Sequence, residues 1–274
     1  MSSLAYVSAR GERIELDGPG SYVGTAPDLR GRAWSYSIGY RALTGVSREA
    51  REVSIDAWFL DLAQADALRR AADRDVYDGT PGELVAQGEW RQRAYIVASA
   101  PDSINGRELS SKLTCVLLDG AWRRAHTLRF NKGGSLTDGK SYPHGYPYSY
   151  GTAEGVTRIS SVGTMPGPVS LIVYGPATSP SLTVGGNRFA VDCSVPSGGY
   201  LAVDGVNLTV ELVNAYGERE NRLADAVRGT GKGSGEYIFE QVGGDGDVLV
   251  SWDGTFGFDL TWWEQEGEPP WSER

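Results

Sequence analysis

The chain has 274 residues, 40% hydrophobic and 22% charged, which is enough for about two domains with cores of their own. Its 37 glycines, 8 Trp and 14 Tyr favour short strands joined by tight turns and exclude an all-helical protein. A net charge of −9 opposes the counterion release on which nucleic-acid binding depends, so no sequence-specific nucleic-acid partner is expected.

The first residues, Met1 to Ser8, lack the basic and then apolar pattern of a signal peptide, and no apolar run approaches the ~20 residues of a membrane span. Synthesis in a cytoplasm without secretion or membrane insertion is the expectation. Trp34, Tyr36, Ile38 and Tyr40 then alternate, and after a turn at Gly45 so do Val53, Ile55, Ala57 and Phe59. That period of two predicts a hairpin with one buried face. Asp61 is a helix cap, and Leu62, Ala65, Leu68 and Ala72 recur at spacings of three and four, predicting one helix to about Asp73. Strands follow over 84–87, 90–99 and 109–118, with turns at Thr80-Pro81-Gly82, Gly88 and Asn105-Gly106. Residues 1–125 are therefore expected to be an α+β domain.

Residues 126–163 show neither structural period. They hold Gly133-Gly134, Asp138-Gly139 and a run containing Tyr142, Tyr146, Tyr148 and Tyr150, which predicts an aromatic, Gly-rich linker or a long ordered loop. Beyond it, short strands are expected at 169–174, 181–184, 188–191, 200–203, 206–212, 237–241, 248–252 and 255–263, the signature of a β-sandwich over 164–274. The fold class is mainly β with one helix. Charge divides unevenly: 16 basic and 17 acidic side chains fall within 1–125, against 10 and 18 beyond it. From Glu236 onward ten acids face one base, Arg274, which predicts a solvated acidic terminal segment.

The residues that carry chemistry make no constellation. His126 and His144 have no Cys or His at ligand spacing, and Cys115 and Cys193 are too far apart for a zinc site or a disulfide framework. Gly229-Thr-Gly-Lys-Gly-Ser-Gly235 fails as a phosphate loop: Ala226 stands where the first glycine belongs, and Gly233 where Ser or Thr would hold magnesium. Gly244-Asp-Gly-Asp247 fails as a calcium loop because Leu249 replaces an oxygen ligand and no glutamate closes it. No Gly-x-Ser-x-Gly occurs. No catalytic residue, cofactor or metal is expected. Alternation puts Trp262 with Phe256, Phe258 and Leu260 toward the core, leaving Trp263 and Trp271 as candidate surface residues for a partner or a sugar ring. Tyr142, Tyr146, Tyr148 and Tyr150 are further candidates for an interaction surface.

Three segments carry a family resemblance: Asp78-Gly-Thr-Pro-Gly-Glu-Leu84 with Trp90 after the helix; Pro166-Gly-Pro-Val-Ser-Leu-Ile-Val-Tyr-Gly175 followed by Ser179-Pro-Ser-Leu182; and Gly198-Gly-Tyr-Leu-Ala-Val-Asp204. In their order and spacing the chain resembles the distal tail proteins of long-tailed siphophages over nearly its full length. The resemblance implies an amino-terminal belt domain closing into a hexameric ring, followed by a galectin-like sandwich projecting from it. It implies a structural virion protein that joins the tail tube to tail-tip, baseplate and receptor-binding proteins and leaves a channel for DNA and the tape-measure protein. Two other classes remain open: a carbohydrate-binding module that grips a host-surface glycan, and a glycosidase-type enzyme using a carboxylate pair that sequence does not reveal.

Overall fold

The computed structural model describes residues 3–133, 155–160, 163, 165–244 and 246–269. The chain divides into two compact units, residues 1–124 with 266–274, and residues 125–265. Each is antiparallel in its strand pairing, and the described residues contain a single α-helix.

Unit 1 contains β1 (Leu4–Val7), β2 (Arg13–Glu15), β3 (Ser21–Tyr22), β4 (Ser35–Gly39), β5 (Ala42–Ser47), β6 (Arg51–Phe59), α1 (Leu62–Asp78), β7 (Gly82–Ala86), β8 (Trp90–Asn105), β9 (Glu108–Leu117) and the start of β10 (Trp122–Phe130). Its main sheet runs β2-β1-β7-β8-β9-β6-β3. Asp61 caps α1 by accepting the Ala63 N–H at 3.0 Å, and Gly79 ends the helix in the left-handed region at φ 65. The helix runs five residues past its expected end. Its apolar spacing stops at Ala72 because the next inward position is Asp75, 1% exposed and polar. That carboxylate accepts from Tyr6 Oη at 2.7 Å and from the Ala9 N–H at 3.1 Å, tying the last turns of α1 to β1. Leu68, Ala71 and Ala72 pack beside it in a core with Tyr6, Ile55, Phe59, Leu84, Trp90 and Trp122.

The hairpin expected between the 34–40 and 53–59 runs does not form. β6 joins the sheet between β9 and β3, with Val53, Ile55, Ala57 and Phe59 inward, while β4 pairs with β5 across a turn at Tyr40-Arg41. Trp34, Tyr36, Ile38 and Tyr40, expected on a buried face, are exposed. Alternation fixes which side chains share a face; it does not say what covers that face.

Unit 2 contains the rest of β10, then β11 (Gly155–Ser160), β12 (Gly167–Tyr174), β13 (Ala177–Thr178), β14 (Ser181–Val184), β15 (Asn187–Ala190), β16 (Ser194–Val195), β17 (Tyr200–Asp204), β18 (Thr209–Val213), β19 (Arg219–Asn221), β20 (Gln241–Val242), β21 (Asp247–Trp252) and all but the last residue of β22 (Phe258–Glu266). One sheet runs β19-β18-β17-β12-β22-β10 and the other β11-β21-β14-β15. Between them Phe130 stacks on Phe258 with ring centroids 4.6 Å apart, and Trp252 meets both rings edge-on at 5.2 Å. Residues 126–130 and 155–160, expected in an aperiodic linker, are thus strands. Residues 237–240, expected as part of a strand, form a turn, because the Tyr237 N–H and carbonyl both bond the Asn187 side chain.

The buried phenol of Tyr6 makes a test of unit 1. Burial, and then the hydrogen bond to Asp75, raise its pKa well above the ordinary 10.0. The folded state therefore holds that proton more tightly, a contribution present below pH 10.0 and lost as pH rises beyond it. Tyr6→Phe should cost about 1–3 kcal/mol by taking a donor from a buried carboxylate. Urea melts of both proteins should show the gap shrinking above pH 10.0; a gap independent of pH would contradict the assignment.

Candidate assembly surfaces

The β4–β5 hairpin is the most apolar exposed element of unit 1. Ile38 and Leu43 are direct cross-strand partners, and alternation places Tyr36 on their face, opposite Ser37 and Thr44, while Tyr40 stands in the turn. Exposure reaches 82% for Ile38 and 89% for Tyr40. This is an amphipathic blade whose apolar side is left exposed by the described residues. Burying a side chain of this size contributes about 1.5–3 kcal/mol. Several together match the ~4–15 kcal/mol that association costs in lost freedom, so the blade is large enough to drive a contact.

Its root is fixed. The Arg48 guanidinium lies 4.8 Å from the Trp34 ring centroid, and the Arg48 backbone passes so near Gly120 that an added Cβ there would stand 2.9 Å from its carbonyl carbon. Gly120 also has φ 63, a conformation that glycine adopts without strain. Beside it, Asp119 is buried, accepting from Arg93 Nε at 2.9 Å and Arg123 Nη1 at 3.1 Å. Burial disfavours the charge on Asp119, but the Arg93 hydrogen bonds and both guanidinium charges overcome it and hold the carboxyl below its usual value. Tyr22 and Trp58, ring centroids 5.8 Å apart, form with Leu60 a second exposed apolar patch on unit 1.

The acidic terminal segment, expected to end the sandwich domain, divides. Its described residues 266–269 belong to unit 1, where Glu266 lies in the field of Arg48 and Glu268 in that of Arg51, and Gly267 sits against Arg32. The basic side chains around the blade's root gather this acidic stretch from the far end of the sequence. In unit 2 several acids of the segment are already paired: Asp247 with Arg158, Asp259 with Arg129, and Glu236 with Arg188. Tyr174 Oη donates to Asp259 Oδ2 at 2.7 Å, completing a polar cluster on the outer face of the sandwich. Arg129, with Tyr174 beside it, keeps the Asp259 carboxyl below its ordinary pKa despite partial burial.

Trp262 packs against the core and stacks on His126, with ring centroids 4.8 Å apart, and His126 Nε2 lies 2.9 Å from the Glu264 carboxylate. Trp263 is half-buried, its indole N–H donating to Ser170 Oγ at 3.2 Å, so it stands as a tethered side chain and not as a free stacking platform. Trp271, Tyr142, Tyr146, Tyr148, Tyr150 and His144 lie outside the described residues. In the glycine-rich loop at 229–235, Glu240 accepts the Gly233 N–H, placing a carboxylate where a phosphate loop would bind an anion. No cluster of His, Cys, Asp and Glu suited to a metal ion occurs among the described residues. Sequence reasoning missed the blade, although the runs 35–39 and 42–47, two residues apart, are a complete hairpin in themselves.

No protein-family model matches the chain, and no curated protein sequence matches it. Solved structures do: the mainly β fold resembles that of a phage baseplate chain and of a phage hub adsorption protein. A chain of the phage P2 baseplate, solved in its activated conformation with calcium, has TM-score 0.62 and 11% identity over 98% of this chain and 99% of that one. The same baseplate with strontium gives equal values. The SPP1 Dit protein, described as a paradigm of the hub adsorption apparatus of phages infecting Gram-positive bacteria, has TM-score 0.56 and 12% identity over 97% of this chain and 99% of its own.

Asp119 supplies a prediction about the blade's root. Its lowered pKa contributes stability above 3.8, the ordinary value, that is lost as pH falls through the folded value. Asp119→Asn should cost about 1–3 kcal/mol at neutral pH. Chemical denaturation at several pH values should show that cost narrowing below 3.8.

Proposed function

We propose that the chain is a structural subunit at the distal end of the tail of a long-tailed phage. Unit 1 closes head-to-tail with further copies into a hexameric ring that joins the tail tube to tail-tip, baseplate and receptor-binding proteins. The ring leaves a passage for DNA and the tape-measure protein. The protein is a non-enzymatic part of the virion.

The observation that carries this reading is the full-length likeness to baseplate hub proteins, which extends over both units and 98% of the chain. Two surface properties support it. Unit 1 has two separate apolar patches, the blade and the Tyr22–Trp58 face, and unlike patches on one chain favour heterologous contacts, which close into rings or run on as filaments. The charge of residues 1–125 is almost balanced, which suits a channel through which a polyanion slides without binding.

Mass measurement on the purified chain tests the ring: a particle near the hexamer mass is expected from protomers of 29.5 kDa, and a strict monomer at high concentration would refute it. Ile38→Asp separates assembly from folding. An exposed position of this kind changes monomer stability by about 0.5 kcal/mol or less, so the variant should keep the parent's circular dichroism spectrum and fail to assemble, losing only the share of thermal stability that assembly supplies. A variant that still forms the full particle would remove the blade from the contact.

A further inference from the structure

Between α1 and the outer part of β8 and β9 lies a groove of about 280 Å³. Its walls are apolar: Leu62, Ala65 and Leu68 from the helix, Ala98 and Ile104 from β8, and Leu109 from β9. Two bulges, between Ile96 and Ala98 and between Pro101 and Ser103, interrupt the register of β8 where it walls this space. Bulges bend a strand and re-aim its side chains. The polar side chains of the lining include Asp66, Arg69 and Asp73 along α1, and Arg69 is 3.3 Å from Asp66, leaving the helix side of the groove net acidic. An apolar trough with charge along one wall lacks the convergent polar groups of a small-molecule site and fits an amphipathic protein element.

The blade has the complementary form. Its apolar face presents Tyr36, Ile38 and Leu43, and its turn carries Arg41, the guanidinium 5.2 Å from the Tyr40 ring centroid. No blade residue lines the groove of its own chain, so a meeting of the two is a contact between copies. We infer that the groove of one copy receives the β4–β5 blade of the next, with the apolar face against the walls and Arg41 toward Asp66 and Asp73. Such a contact joins unlike surfaces and repeats at every subunit, as a closed ring demands. This inference rests on the ring reading and assigns its contact.

Thiol cross-linking tests it. Cys115 and Cys193 are buried, and burial pushes the Cys115 thiol up to about 12, so introduced surface cysteines react preferentially. Ala42→Cys marks the blade and Ala98→Cys the groove, both at exposed positions. The full-length single variants, mixed and treated with a short bismaleimide, should yield a covalent dimer in at least several-fold excess over either variant alone. The double variant A42C/A98C should give a ladder of covalent oligomers that stops at the ring mass. The particle mass is measured on the same samples. Full-size particles without the mixed dimer, or with A42C joining to itself, would overturn the inference and leave the ring reading intact. A strict monomer would overturn both.

Discussion

A buried carboxylate holds unit 1 together. Asp75 sits in the last turns of α1, where the helix dipole disfavours negative charge, and has left water almost completely. Two donors from the first strand region, the Tyr6 hydroxyl and the Ala9 amide, offset that penalty. The fit admits no side chain at Gly82, where a Cβ would lie 2.6 Å from the Tyr6 ring. Glycine there, tyrosine in β1 and aspartate in α1 are one arrangement. It fixes the helix against the sheet, and the helix forms one wall of the groove.

The two units use their apolar residues differently. In unit 2 the two sheets face each other, and Phe130, Trp252, Phe256 and Phe258 fill the space between them. The outer face closes its charges on one another, as in the Arg129, Tyr174 and Asp259 cluster. Among the described residues, unit 1 leaves more large aromatic and aliphatic side chains outside than unit 2 does, in the blade, around Trp58 and along the outer part of β8. A monomer with patches of this kind is incomplete as a folded surface.

Elements whose cause is local were legible in the sequence. Asp61 announced the start of α1, Asn105-Gly106 the β8–β9 turn, alternation identified β6, and the short runs between turn residues identified β14 and β21 closely. Elements whose cause is distant were not. The parts of β10 and β11 in unit 2 bury one large apolar side chain each, Phe130 and Ile159, too few to show a period of two. Asp75 broke the helical spacing because its partner lies 69 residues away. The terminal acids read as a solvated run because Arg32, Arg48 and Arg51 stand more than two hundred residues earlier in the chain. At the candidate surface, Trp34 to Tyr40 were recognised as one face and assigned to the interior, since hydrophobicity alone does not separate a core from an interface.

The blade is a two-stranded ribbon, and such ribbons are only marginally stable in water without a third layer. Its order in the free subunit is therefore held mainly at the root, by Trp34, Arg48 and Gly120. In the proposed ring, capture by a neighbour would supply the missing layer, and part of the energy of each contact would go into ordering the ribbon. Growth of such a ring would be cooperative: a seated blade would be rigid, while one at an open end would fray. Closure would eliminate the last frayed end, which would bias the population toward complete circles over fragments.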